Sequence, residues 1–147
     1  MVERAARLRG TKERGEWAEL CFMARAMEEG LRVARPWGET SYDVGTDYRN
    51  LRCRVQVKST EYMRGKRSYM LNVRGTRGRP YKKGSIDFVA MFLIPDSVWY
   101  IIPFEQLKKN GKRLCSFHLA VGNARHKYSQ FREAWHLLRG ESKGKKR

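Results

Sequence analysis

In the stretch Leu51-Arg52-Cys53-Arg54-Val55-Gln56-Val57-Lys58, small apolar residues alternate with polar ones. Because residues i and i+2 of a β-strand lie on the same face, this pattern predicts a strand that presents Gln56 and Lys58 together. The opposite face, predicted to pack into the core, carries Leu51, Cys53, Val55 and Val57. Asp43 precedes Gln56 by thirteen residues and follows a predicted turn at Pro36-Trp37-Gly38. A carboxylate, an amide oxygen and an ammonium group are therefore expected on one small surface.

These groups have the chemistry of a phosphodiester-cleaving site. Mg²⁺ prefers oxygen ligands, retains several waters and is usually held by one or two carboxylates. The predicted protein ligands are Asp43, the Gln56 side-chain oxygen and the Val57 backbone carbonyl, with Mn²⁺ as a substitute metal. Lys58 is predicted to orient or deprotonate the attacking water, or to stabilise the transition state as a fixed positive charge. A surface aspartate followed by an ordinary amphipathic strand would give the same pattern. Other sequence elements are therefore needed to distinguish a nuclease site from such a strand.

A helix is predicted upstream, from Thr11 as the N-cap to Gly30 as the C-terminal stop. Its apolar stripe consists of Ala18, Cys21, Phe22 and Met27. Glu16 and Glu19 are spaced i,i+3 and so share a face of this helix. A short strand at 31–35 then leads to the turn before Asp43.

The order of these elements resembles the PD-(D/E)xK nuclease superfamily. The resemblance is carried by Gly15-Glu16-Trp17-Ala18-Glu19, Gly30, Arg35-Pro36-Trp37-Gly38, Tyr42-Asp43 and Val55-Gln56-Val57-Lys58-Ser59-Thr60. The chain is similar to archaeal Holliday-junction resolvases, and more similar to a branch of intron-encoded homing endonucleases in which Gln replaces the Glu of the ExK element. Trp99-Tyr100-Ile101-Ile102-Pro103 and Tyr128-Ser129-Gln130-Phe131-Arg132-Glu133-Ala134-Trp135 also resemble that branch. The likeness covers about residues 11–138.

The resemblance implies an α/β (α+β) fold with a restriction-endonuclease-like core, in which helices flank a central mixed β-sheet. It places the helix-borne acid of the family on Glu19, as a further catalytic residue and metal ligand, with Glu16 as the alternative. Two departures from the family pattern stand out. The usual Pro before Asp43 is replaced by Tyr42, and the neutral Gln56 removes one negative charge from the metal site. We expect Glu19 to compensate for that missing charge.

The composition indicates a polyanionic partner. Thirty-two Lys and Arg residues against fifteen Asp and Glu residues give a net charge of +17. Such an excess favours phosphate contacts and counterion release, although charge alone does not separate DNA from RNA or from a membrane surface. The length of 147 residues suits one domain. We predict a single nuclease domain over residues 1–138 and a basic, disordered tail over residues 139–147.

Several function classes are disfavoured. The most apolar stretch, 86–104, is interrupted by charged residues and prolines and is predicted not to span a membrane. The start of the chain is charged, so we expect no signal peptide. Cys21, Cys53 and Cys115 form no CxxC pair and are predicted to be free thiols in a reducing cytoplasm. The three histidines have no zinc-site spacing and are expected to be structural or exposed.

Beyond the first helix, the pattern predicts mostly strands, at about 31–35, 42–48, 51–58, 69–74, 86–94 and 97–102. A short helix from Phe104 to about Lys109 and a possible strand near 114–120 follow. Asn123 is the predicted N-cap of a final helix. The core stripe of that helix is Tyr128, Phe131, Trp135 and Leu138, at spacings of 3, 4 and 3.

Two basic loops are predicted to flank the cleft. One runs from Gly75 to Gly84 directly after Arg74, and the other runs from Glu61 to Arg67. Glycines let the backbone approach phosphates, and Arg can reach guanine edges in a major groove. The predicted DNA-binding residues are Arg64, Lys66, Arg67, Arg74, Arg77, Arg79, Lys82 and Lys83. The alternative is that both loops are merely mobile and solvated.

We therefore predict a Mg²⁺-dependent DNA endonuclease that makes site-specific double-strand cuts, of homing or restriction-like type. One alternative is a structure-selective nuclease, such as a Holliday-junction resolvase or a repair enzyme. The other is a catalytically inactive DNA-binding module in which Gln56 marks the loss of activity. Retention of Asp43, Lys58 and two helix acids argues against inactivity. Because one small site cuts one strand, a homo-oligomer, either a dimer or a tetramer, is expected on double-stranded DNA.

Overall fold

A computed structural model of the protein describes residues 7–61, 63–65 and 68–142. Within these ranges one α-helix, α1 (Gly10–Glu28), precedes the strands. The strands are β1 (Arg32–Ala34), β2 (Val44–Tyr48), β3 (Leu51–Thr60), β4 (Met63–Arg64), β5 (Ser68–Asn72), β6 (Phe88–Leu93), β7 (Val98–Pro103), β8 (Lys108–Lys109), β9 (Lys112–Arg113) and β10 (Ser116–Ala120). No helix in the described part of the chain is long and apolar enough to cross a membrane.

The central sheet is mixed, as predicted, with the strand order β1-β2-β3-β6-β7. The pair β3 and β6 is parallel and aligns Val57 with Ala90, whereas the other three pairs are antiparallel. A second antiparallel sheet has the order β10-β5-β4, and β8 pairs with β9 in a short hairpin. The long strand β3 therefore lies at the centre of the first sheet.

Strands β6 and β7 contribute to two hydrophobic cores because both of their faces are covered. On one face, Phe92 and Trp99 stack with ring centroids 4.4 Å apart and pack against Phe22 of α1. On the other face, Met91 and Ile102 pack against the second sheet. This double burial explains the nearly continuous apolar run between residues 86 and 104, which is typical of strands with two covered faces.

The first helix ends as predicted but begins differently. Gly30 follows the helix with φ +82°, a left-handed conformation that glycine adopts without strain. The prediction of Thr11 as the N-cap is wrong, because Arg9 occupies that position and its N–H donates to the Glu13 carboxylate. Met27 is 62% exposed, and Ala26 lies in the core in its place.

The prediction of a final α-helix is wrong. The segment forms two 3₁₀ turns, Ser129–Phe131 and Trp135–Arg139, on either side of Glu133, whose φ is +48°. Tertiary hydrogen bonds to β7 outcompete the helix: the Glu133 N–H donates to the Trp99 carbonyl at 2.8 Å, and the Glu133 carboxylate accepts the Trp99 N–H at 2.9 Å. The predicted core stripe is nevertheless buried in full.

Smaller differences occur where elements end. Phe104–Gln106 is a 3₁₀ turn, and Lys108 and Lys109 form a strand where a helix was predicted. Leu51, predicted to be buried, is 40% exposed because it lies beside the β2–β3 turn, where it pairs with Tyr48. Arg139, the first residue of the predicted tail, donates to the Glu29 carbonyl at 3.2 Å. Residues 143–147 of that tail lie outside the described ranges, so the tail stays a prediction.

Candidate active site

Asp43 lies at the end of the β2–β3 ladder and accepts hydrogen bonds from β3. The Asp43 N–H donates to the Val55 carbonyl at 2.9 Å, and the last ladder pair joins Val44 to Val55. Beyond that pair, the Val57 N–H donates to Asp43 Oδ2 at 2.8 Å. The carboxylate thus takes the place of a ladder partner, and the end of strand β2 fixes its position against β3.

The Gln56 side chain connects two of the other predicted ligands. It is only 8% exposed, and its Nε2 donates to Asp43 Oδ2 at 2.6 Å and to the Val57 carbonyl at 3.4 Å. Rotation of the amide plane by half a turn exchanges Nε2 for Oε1. In that orientation, Gln56 Oε1 would lie beside Asp43 Oδ2 and the Val57 carbonyl oxygen.

This donor set fits Mg²⁺ because the ion accepts carboxylate, amide and carbonyl oxygens together with water. Within residues 7–61, 63–65 and 68–142, no group of three or more His, Cys, Asp or Glu side chains converges. A metal at this point would therefore be held by few charges, so a second carboxylate would contribute more.

Glu19 is the helix acid that lies near Asp43. Its side chain is 18% exposed and accepts a hydrogen bond from Arg35 Nη2 at 2.6 Å. Burial and the charge of Asp43 raise the pKa of Glu19, against the opposing effect of Arg35. Glu16, in contrast, is exposed on α1. Of the two candidate acids, the structure brings Glu19 to the predicted ligands.

Burial also shifts the titration of Asp43 and Lys58. It raises the pKa of Asp43, an effect that the Val57 N–H and the charges of Lys58 and Arg35 partly offset. It lowers the pKa of Lys58, and the nearby Asp43 charge opposes that shift. Shifts caused by burial together with specific charged partners are typical of functional sites. The charges of Lys58 and Asp43 are therefore close enough for each to affect the pKa of the other group.

Lys58 is held by the loop that follows β5. Its Nζ lies 3.3 Å from the Arg74 carbonyl oxygen and 5.9 Å from the centroid of the Tyr81 ring. The loop closes on itself through a bridge between Arg74 and Pro80 and through a 2.8 Å bond from the Gly75 N–H to the Arg79 carbonyl. The lysine is therefore positioned by a segment that lies far from it in sequence.

Tyr81 is a site residue to which sequence reasoning assigned no role. Its ring packs edge-on against Phe104, and burial together with the charge of Asp43 raises the pKa of Tyr81 to about 12. A Cβ at position 75 would lie 3.1 Å from this ring, so glycine lets the backbone approach Tyr81 without displacing it. The available signal was that Tyr81 is the one aromatic residue in a loop of Gly, Arg and Lys.

The described basic residues of this loop are exposed, namely Arg74, Arg77, Arg79, Lys82 and Lys83. Arg77 has φ +59°, and Gly78 follows it with φ +68°. Of the other predicted DNA contacts, Arg64 belongs to β4 by its backbone, and its side chain lies outside the described part. Lys66 and Arg67 lie outside the described residues altogether.

Three of the four predicted catalytic residues line two neighbouring clefts. Glu19, Arg35, Tyr42 and Asp43 line a polar cleft of about 280 Å³. Lys58, Asn72 and Arg74 line a groove of about 420 Å³ between β3 and β5. A phosphate bound near both Asp43 and Lys58 would therefore have open space on each side for the rest of a polymeric substrate.

Comparison with known proteins places the chain among relatives of the same fold. The family model described as PD-(D/E)XK endonuclease matches residues 9–138. No curated protein sequence matches the chain significantly. Among solved structures, the chain is similar to the bacterial homing endonuclease I-Ssp6803I at 26% identity and a TM-score of 0.76, over 90% of this chain and 95% of that chain. It is also similar to Hjc, a Holliday junction resolvase from the archaeal hyperthermophile Archaeoglobus fulgidus, at 18% identity and a TM-score of 0.48, over 73% and 84% of the two chains. The predicted α+β, restriction-endonuclease-like fold is confirmed.

Proposed function

Because the chain belongs to the PD-(D/E)XK endonuclease family, matched over residues 9–138, we propose that it is a Mg²⁺-dependent DNA endonuclease that makes site-specific double-strand cuts. The observation that carries the proposal is the convergence of Asp43 with Gln56 and the Val57 backbone, within electrostatic reach of Lys58. Mn²⁺ is expected to substitute for Mg²⁺, since both ions accept oxygen ligands in octahedral geometry.

Each residue has a distinct task in the proposed reaction. A bound divalent metal supplies positive charge that activates water and neutralises the scissile phosphate. The side-chain oxygens of Asp43, Gln56 and Glu19 and the carbonyl of Val57 hold that metal. Lys58 Nζ, whose pKa burial lowers, orients the attacking water or takes up its proton. Tyr81 and the Arg74 carbonyl hold Nζ in place.

The site-specific, double-strand form of the proposal rests on the similarity to a bacterial homing endonuclease and on the exposed basic loop beside Lys58. Each chain contributes one such site, and one site cuts one strand. Two copies at least are therefore needed on a duplex, and we propose a symmetric dimer or tetramer.

Cleavage of two substrates in parallel tests the function. A supercoiled plasmid library with randomised inserts and a synthetic four-way junction are incubated with the protein in Mg²⁺ or in EDTA. Mg²⁺-dependent linear plasmid with cuts at recurring insert sequences is the expected result. Symmetric cutting of the junction alone would identify a structure-selective nuclease. Binding of the library without any cutting would identify an inactive DNA-binding module.

We expect Glu19→Gln to lower the apparent affinity for Mg²⁺ in the cleavage reaction about 10- to 100-fold. This is the usual cost, about 10- to 100-fold, of losing a group that supports a metal site. Glu19 lies near Asp43, whereas Glu16 is exposed. The matched variant Glu16→Gln should therefore change the apparent Mg²⁺ affinity less than about threefold. Titration of the cleavage rate with Mg²⁺ measures both. A larger loss for Glu16→Gln would show that the earlier glutamate is the metal-supporting acid.

We expect the double variant Arg77→Gln/Arg79→Gln to bind duplex DNA more weakly at low salt and to lower the slope of log affinity against log salt by about 1.8, since each phosphate contact contributes about 0.9. Arg49→Gln/Arg52→Gln is a control of equal charge change. Position 52 lies six residues before Lys58 on β3, a distance of about 20 Å. Equal slopes for the two double variants, measured by fluorescence anisotropy, would exclude Arg77 and Arg79 from the interface.

A further inference from the structure

Strands β5 and β10 form an antiparallel ribbon with one buried face and one exposed face. The buried side chains are Tyr69, Leu71, Phe117 and Leu119, which pack into the second core. The exposed side chains alternate with them and are Met70 and Asn72 on β5, and Ser116 and His118 on β10. The strand register places Met70 opposite His118 and Asn72 opposite Ser116. These four residues form a continuous patch, here named the outer ribbon face.

The composition of the outer ribbon face suits base edges better than phosphates. Neither Ser68–Asn72 nor Ser116–Ala120 contains an acidic residue, and the four exposed side chains carry no Lys or Arg. Asn72 Oδ1 accepts the Arg74 N–H at 2.8 Å, which orients the amide, and its NH₂ group can donate to a base-edge acceptor such as adenine N7. Ser and His side chains can also hydrogen-bond to base edges, and an apolar side chain can contact the thymine methyl group. The centre of this surface can therefore discriminate bases without attracting any phosphate strongly.

Cationic side chains adjoin this uncharged centre. Arg74 follows Asn72 by two residues and is exposed, and the basic loop continues from it. A duplex with its bases against the ribbon would place its backbones over the flanking segments. An uncharged centre beside a basic loop thus complements the charge distribution of a DNA groove, where phosphates border the base edges.

The outer ribbon face is also continuous with the candidate active site. Met70, Asn72 and Arg74 line the same groove as Lys58, Ser59 and Thr60. Neighbouring strands lie about 4.8 Å apart, and the major groove of B-DNA is about 12 Å wide and admits a two-stranded ribbon. A duplex seated in this groove would bring base pairs to the ribbon while one of its phosphates lies near Lys58.

We infer that the outer ribbon face enters the major groove of duplex DNA and contacts base edges next to the scissile phosphate, with Asn72 and His118 as specificity-determining residues. This inference rests on the proposed function. In this arrangement the β5–β10 ribbon discriminates between base sequences, and the basic loop contacts the phosphates.

Selection of bound duplexes from a randomised library tests the inference without any cleavage. The selection is run in EDTA and in Ca²⁺ with the full-length wild-type protein, Asn72→Ala and His118→Ala. Met27→Ala is the control, because Met27 is exposed on α1, which packs on the opposite face of the central sheet. The wild type and the control should enrich one consensus. Each ribbon variant should lose preference at one or two neighbouring positions, by roughly 5- to 150-fold per base, while it binds unrelated duplexes as the wild type does.

A second measurement identifies the groove. Replacement of the affected adenine by 7-deazaadenine removes the N7 acceptor, which lies in the major groove. This replacement should weaken binding of the wild type and have no further effect on Asn72→Ala. If 7-deazaadenine and Asn72→Ala weakened binding independently and additively, the inference would be overturned. A wild-type consensus that both ribbon variants retain would also overturn it, and so would wild-type binding without base preference.

Failure of the inference and failure of the nuclease proposal are separable. A protein that enriches a consensus through Asn72 and His118 but never cuts it would support the ribbon contact and refute the proposed activity. A protein that cuts at discrete sites, with base preferences unchanged in both ribbon variants, would refute the ribbon contact alone. Absence of any duplex binding by the wild type would refute both.

Discussion

Lys58→Ala is expected to lower the single-turnover cleavage rate by about 100- to 1,000-fold, the usual effect of removing one preorganised group that stabilises a transition state. Nζ of Lys58 lies 3.3 Å from the Arg74 carbonyl and is half-buried, so its position does not depend on the substrate. Arg35, the other cation acting on Asp43, is paired with Glu19 in the neighbouring cleft. Of the two cations that act on Asp43, Lys58 is therefore the one not engaged by Glu19. The rate is measured at saturating Mg²⁺ on the preferred plasmid target.

Two further variants show whether the loss is chemical. Lys58→Arg keeps the charge but replaces a compact ammonium by a planar guanidinium that hardly deprotonates. It should recover little activity if Lys58 accepts a proton and more if only its charge matters. Lys82→Ala, an exposed position in the adjoining basic loop, should change the saturated rate less than about threefold. A Lys58→Ala protein that cuts at the wild-type rate would remove Lys58 from the mechanism.

Asp43→Asn is expected to abolish Mg²⁺-dependent cleavage, with a loss of at least about 100-fold at any Mg²⁺ concentration, because the proposed metal ligand loses its charge. The fold should persist. Asparagine has nearly the same shape, and its Oδ1 can still accept the Val57 N–H that the aspartate now accepts at 2.8 Å. Circular dichroism and cleavage assays on the same preparation separate loss of chemistry from loss of structure.

Stability should change in the opposite direction to activity. Burial raises the pKa of Asp43 above its ordinary value of 3.8, so the folded chain binds the proton more tightly than the unfolded chain does. Stability due to this group is therefore present at low pH and is lost as the pH rises through the folded-state pKa. Asp43→Asn should unfold at or above the wild-type temperature at pH 7, and this advantage should vanish below pH 3.8. A lower unfolding temperature at pH 7 would show that the carboxylate anchors β3.

The core of the site was predictable from local pattern. Alternation along β3 determines which side chains share a face, and it correctly associated Gln56 with Lys58 and buried Val55 and Val57. The same rule failed for Leu51 because alternation does not reveal that a strand end lacks a covering element. Position in the sheet, rather than periodicity, decides burial there.

Other parts of the structure depend on contacts between distant segments. An i,i+3 spacing puts Glu16 and Glu19 on one helix face, and only the packing of α1 beside Asp43 distinguishes them. Likewise, the spacing of Tyr128, Phe131 and Trp135 suits a helix, but the bonds between Glu133 and Trp99 favour two 3₁₀ turns. The approach of Tyr81 to Lys58 requires closure of a loop that no local pattern encodes.

The contact between Lys58 and residue 74 has an evolutionary consequence, because it uses the main-chain carbonyl and not the arginine side chain. Every amino acid supplies that carbonyl. Substitutions at position 74 can therefore change the side chain that borders the proposed DNA groove while Lys58 keeps its partner. Under the proposed function, DNA affinity can evolve at this position without an intermediate in which Lys58 has lost this contact.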